Sequence, residues 1–140
     1  MKRLLFVASA ALAIAASSSA SAGGWKSRWF IGLWEGVDPV DGSAVVYSIS
    51  DNDRDGDLEI VARETFFFAC NGDGIQIGHG TVSRRGVLEA RQTLKCRPGP
   101  LQFTDTRATL EPVEEDDILV VKVPADDPAT VPITLHRVSR

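Results

Sequence analysis

The densest concentration of chemistry-bearing side chains is Asp51-Asn52-Asp53-Arg54-Asp55-Gly56, with Asp57 and Glu59 close behind. Carboxylates at alternate positions of a tight loop converge on one point, and a glycine permits the sharp turn. The pattern suits a hard cation such as Ca2+, which takes roughly six to eight oxygens. Asp51, Asp53, Asp55, Asp57 and Glu59 are therefore the candidate calcium ligands. Leu58 falls where an EF-hand loop has its hydrophobic residue, and Glu59 where such a loop supplies its ninth-position oxygen. The twelfth position is Ala62 instead of a bidentate glutamate, and the flanking sequence reads as strand, so an EF-hand is excluded. Two readings stay open: a strand-flanked calcium loop, and a solvated hairpin turn in which Asp and Gly serve turn chemistry. The turn is the plainer of the two.

The remaining reactive residues are sparse. His79 and His136 are the only histidines, and their spacing says nothing about proximity. No H-E-x-x-H, G-x-S-x-G or P-loop pattern occurs. The expectation is a protein that is not an enzyme and has no catalytic residues. Cys70 and Cys96 lack C-x-x-C spacing and neighbouring His ligands, so they read as one structural disulfide. Closing a loop of about 27 residues stabilises a chain by about 3.5 kcal/mol in the chain-entropy description. Between Gly23 and Phe30, Trp25, Trp29 and Phe30 stand beside Lys26 and Arg28, and aromatics with Arg are favoured interface anchors. They are candidate partner-binding residues, against the simpler role of a plug at a barrel mouth.

The N-terminus carries an address. Lys2 and Arg3 precede an apolar run from Leu4 to Ala16 and a small-residue stretch ending Ala20-Ser21-Ala22, the pattern of a secretory signal peptide cleaved after Ala22. The apolar run falls short of the ~20 residues that span a bilayer. No Cys lies near the cleavage point, so no lipid anchor is expected. Residues 1–22 read as signal peptide and 23–140 as a single exported domain, periplasmic or extracellular. That domain keeps 13 basic against 19 acidic side chains, a net charge of −6. Such a balance disfavours phosphate backbones and acidic lipid surfaces, so neither nucleic acid nor membrane insertion is expected.

What must position these residues is a sheet. Past Ala22, period-2 alternation recurs between turn signals. Leu33–Val37, Ser43–Ser50, Asp57–Glu64, Ile75–Ser83, Val87–Cys96, Leu101–Leu110, Ile118–Val123 and Thr130–Val138 read as strands. Gly78 and Gly80 inside the fourth mark a bend or a close backbone approach. Trp25, Trp29 and Leu33, at i, i+4 and i+8, allow one short helical turn before the first strand. About eight hairpin-linked strands predict an all-β domain, a small up-and-down antiparallel barrel, with a β-sandwich as the alternative. Inward residues such as Tyr47, Ile49, Ile60 and Phe67 then either line a ligand cavity or fill the barrel. In Phe66-Phe67-Phe68, extended backbone puts at least one ring on the opposite face from the others.

Gly32-Leu33-Trp34 opens the first strand and Arg137 sits near the end of the last. This resembles the calycin arrangement of lipocalins, which implies that Trp34 closes one barrel end and packs against Arg137. The wider pattern from Trp34 through Asp38-Pro39-Val40-Asp41-Gly42-Ser43, Cys70, Gly78-His79-Gly80-Thr81-Val82 and Cys96 resembles a group of secreted bacterial two-Cys domains that share a W…D-x-x-D-G-S opening. That likeness implies a small β-barrel and no particular activity. The leading functional expectation is an exported, non-enzymatic binding module for a small apolar ligand or an envelope or extracellular partner, with the calcium loop as an added possibility. The alternative is a protein similar to the calycin inhibitors of proteases, acting through its aromatic N-terminal segment. The N-terminal residues of those inhibitors do not align with Gly23-Gly24-Trp25, so no inhibitory residue carries over.

Overall fold

The computed structural model describes residues 24–140; the expected signal peptide, 1–22, lies outside the described residues. One short helix, α1 (Gly24–Phe30), precedes eight strands: β1 (Gly32–Val37), β2 (Ala44–Ser50), β3 (Asp57–Phe67), β4 (Gly72–Val82), β5 (Leu88–Cys96), β6 (Gln102–Val113), β7 (Ile118–Lys122) and β8 (Ile133–Ser139). Each strand pairs antiparallel with the next in sequence, and β1 also pairs with β8. The result is a closed up-and-down barrel, which leaves no unpaired sheet edge. Among the described residues no helix is long and apolar enough to cross a membrane.

Turn chemistry fixes where the strands reverse. In the β1–β2 connection the Asp38 carboxylate accepts the Val40 N–H at 2.7 Å, and the Asp41 carboxylate accepts the Ser43 N–H at 2.8 Å. These side chains replace backbone partners, which is why Asp is favoured there. Gly42 follows with φ +77°, a conformation that costs glycine little. Short 3-10 turns at Phe68–Cys70 and Glu114–Asp116 end in left-handed Asn71 and Asp117. The Cys70–Cys96 disulfide ties the β3–β4 turn to the end of β5, and suits an oxidising extracellular or periplasmic environment.

Alternation gives the barrel two unlike ends. At one end lie α1, the 51–56 loop, the β4–β5 and β6–β7 turns and the C-terminus. At the other lie the β1–β2 turn, the disulfide, the β5–β6 turn and the 123–132 connection. The half nearer α1 is filled by Trp34, Tyr47, Ile49, Leu58, Ile60, Leu88, Leu110, Leu119 and Leu135, all fully buried. Of the residues expected to face inward, Tyr47, Ile49 and Ile60 thus belong to packed core, while Phe67 faces the open half. The barrel is solid below and hollow above.

The fourth strand inverts the usual pattern. Its inward positions are Gly74, Gln76, Gly78 and Gly80, and its outward ones Ile75, Ile77 and His79. A Cβ at Gly80 would lie 2.7 Å from the Glu89 carbonyl, and one at Gly78 would strike the Arg91 carbonyl. The backbones of β4 and β5 are pressed together here, the close approach that the glycines signal.

Candidate functional site

Closure of the α1 end depends on Arg137. Its guanidinium carbon lies 3.9 Å from the centroid of Trp34 and 4.9 Å from that of Trp29. Its nitrogens donate to the Ile31 and Trp29 carbonyls and to the Asp117 carboxylate, the last at 2.9 Å. The Trp34 indole donates to the Phe30 carbonyl at 2.8 Å. A buried cation thus has carboxylate, carbonyl and π-face partners at once, the arrangement in which arginine exceeds lysine. Trp34 and Arg137 pack against each other at this end of the barrel. Phe30 is buried and Trp29 half-buried against the same cluster, so both are turned into the barrel end. The Trp25 side chain lies outside the described residues.

The acidic loop at this same end is partly assembled. Asp51, Asp53 and Asp55 bring carboxylate oxygens within 4.8 Å of one another. Asp57 and Glu59 are turned elsewhere. Asp57 faces His79 at 4.0 Å, and Glu59 accepts from Asn52 and from Ser50. Asp55 also accepts the Asp57 N–H at 2.8 Å, an Asx turn within the loop. The five candidate ligands reduce to three that converge. His79 and His136 are both exposed and stand on β4 and β8, on opposite sides of an eight-strand ring.

The opposite end is an open mouth of about 590 Å3. Phe66, Phe67, Phe68, Leu94, Phe103 and Val123 give it apolar walls, and Gln76 contributes to its floor. A register shift between Glu64 and Phe67 lets both face the interior although three residues apart, while Phe66 and Phe68 meet edge to face at 5.5 Å. Phe68 is 69% exposed on the 3-10 turn that follows β3, so the extended backbone that would alternate the three rings ends at Phe67. Val37, Val40, Leu101 and Val131 are further exposed apolar residues at this end.

Polar groups sit deep beneath these walls. Across the sheet Tyr47 lies beside Ala62, Ala62 beside Gln76, and Gln76 beside Leu94. The Tyr47 hydroxyl donates to the Gln76 side-chain carbonyl at 3.5 Å. Burial pushes the Tyr47 hydroxyl far above the usual phenol range, and the Glu64 carboxylate adds to it. Gln92, beside Gly78, is 1% exposed, and neither atom of its amide has a hydrogen-bond partner of good geometry. Glu64 is one inward step nearer the mouth than Ala62. Burial, then the charges of Asp38 and Asp41, push its carboxyl up to about 7.

This is a closed barrel with one disulfide, lipocalin-like in form. No family model, curated protein or solved structure matches the chain.

Glu64 and Gln76 at the mouth, and the buried Gln92 beneath it, are polar residues that belong to no motif. The signal for two of them is simple. Glu64 continues the inward series Leu58, Ile60, Ala62, and Gln92 interrupts Leu88, Ala90, Leu94, Cys96. A polar residue on an otherwise apolar strand face asks for a partner.

Proposed function

We propose that the protein is an exported, non-enzymatic binding module whose open barrel mouth takes a small, largely apolar ligand. The observation that carries this reading is the mouth itself: about 590 Å3, walled by phenylalanines over a few polar side chains. Ligand pockets of roughly 300–1,000 Å3 have that composition, apolar surface for affinity and a few polar groups for orientation. Gln76 supplies such a polar group at the floor, its side-chain carbonyl accepting from the Tyr47 hydroxyl. Export is supported by the disulfide and by the leader-like first 22 residues. The likeness to secreted two-Cys domains points the same way. A binding role is favoured over catalysis by the histidines, which stand on outer faces away from the mouth.

The test is a titration of the chain from Gly23 onward with N-phenyl-1-naphthylamine, a neutral dye that fluoresces in apolar surroundings. We expect saturable enhancement with one site per chain. The double substitution Phe68→Ser, Phe103→Ser should weaken binding about tenfold or more, each ring supplying on the order of 1 kcal/mol. Both rings are exposed enough for the variant to fold. No enhancement, or an unchanged affinity in a folded double variant, would overturn the reading.

A further inference from the structure

The charges around the mouth are one-sided. Asp38 and Asp41 enter from the β1–β2 turn, Glu64 from β3, Asp105 and Arg107 from β6, and Asp126 from the β7–β8 connection. Tyr47 faces Glu64 from β2 and stays neutral. Asp105 is already matched by Arg91 at 3.8 Å. Among the described residues no ion pair reaches Asp38, Asp41 or Glu64. Asp38, Asp41 and Glu64 thus share one apolar concavity, and Arg107, the cation lining the same mouth, pairs with none of them.

We propose that the mouth selects an amphipathic organic cation, its ammonium group set against Glu64, Asp38 and Asp41 and its apolar body against the phenylalanines. This rests on the reading of the mouth as a ligand site and names the ligand's chemistry. A bare metal ion fits less well. Among the described residues the carboxylates close enough to share one ion are Asp51, Asp53 and Asp55, at the other end of the barrel. The mouth carboxylates are spread more widely, and one oxygen each of Asp38 and Asp41 is held by a turn N–H. An ammonium carried on an apolar body can sit among dispersed oxygens while its chain covers the rings, and aromatic faces attract the same charge. A carboxylate ligand would add a further negative charge to an already acidic site.

Proton linkage follows. Without a cation Glu64 ionises only near pH 7, because burial and its two acidic neighbours oppose a further charge. A bound ammonium offsets those neighbours and favours the ionised form. Binding therefore releases a proton from Glu64 below about pH 7, and affinity rises with pH through that range.

Isothermal titration with decylammonium, decanol and decanoate, all below micelle formation, separates the possibilities. Decylammonium stays protonated at both pH 5.5 and pH 8. We expect it to bind at least tenfold tighter than decanol at pH 8, with decanoate weakest, and the preference to narrow at pH 5.5. Glu64→Gln combined with Asp38→Asn should erase the preference, and the Tm of that variant reports that it is folded. Equal affinities for decylammonium and decanol would overturn cation selection and leave the apolar-site reading standing, as would tighter decanoate. Binding of none of the three, with no dye enhancement, would overturn both.

Discussion

Glu64 occupies an inward position that the strand pattern otherwise gives to Leu58, Ile60 and Ala62. Its carboxyl ionises near 7 in the folded barrel and near 4.5 unfolded, so the folded chain holds this proton more tightly. Stability from this group is therefore greatest below about pH 4.5, declines as pH rises to 7, and is level above. Glu64→Gln keeps the shape and removes the charge. We expect it to raise unfolding free energy by about 2–3 kcal/mol at pH 8 and to change it little at pH 4. Urea unfolding across that range checks this, and an undiminished decline in the variant would assign it to other groups. Glu64 and Gln92 are legible in the sequence as polar interruptions of apolar faces. Sequence alone does not place one at the mouth and the other in the core, because that depends on which strands lie beside them. Gln76 is hidden altogether. Its inward neighbours are glycines, required small by the pressed backbones of β4 and β5, so outward Ile75 and Ile77 make the wrong face look apolar.

At the scale of elements, the Arg137 side chain ties the end of α1 to the end of β8. Arg137→Ala would strand the Ile31 and Trp29 carbonyls, leave Asp117 with the Arg140 guanidinium at 3.9 Å and uncover the Trp34 ring. We expect a loss of about 2–4 kcal/mol in denaturant unfolding, with Arg137→Lys recovering only part because it lacks the planar fork. A loss under 0.5 kcal/mol would mean that α1 holds its place without the guanidinium. All eight strands are legible, since each is bounded by Gly, Pro or Asp turn chemistry that acts locally. The ends of β3 and β6 are not. The period-2 reading stops them at Glu64 and Leu110, whereas they run to Phe67 and Val113. The β3 extension passes through a register shift that breaks strict alternation, and Pro112, which cannot donate to a ladder, lies within the β6 extension.

For the whole molecule, closure makes every strand central, yet the ring is not uniform. β3 and β4 are matched from Asp57↔Thr81 to Phe67↔Gly72, and β4 and β5 from Gly74↔Cys96 to Val82↔Leu88. β7 and β8 are matched only from Ile118↔His136 to Val121↔Ile133, and the β1–β8 ladder carries a shift beside Leu33. Short ladders open at lower free energy than long ones, so the seam around β8 is where the barrel should part first. Hydrogen exchange should find amides of β7 and the mouth end of β8 exchanging well ahead of those in β3 to β5. A ligand seated in the mouth should then slow exchange in 38–43, 66–71 and 123–132, and leave the 51–56 loop at the far end unchanged. Slowing confined to the 51–56 loop would instead put the binding site at the acidic end. Uniform exchange around the ring would mean that the barrel opens as one unit, with no weak seam beside the mouth.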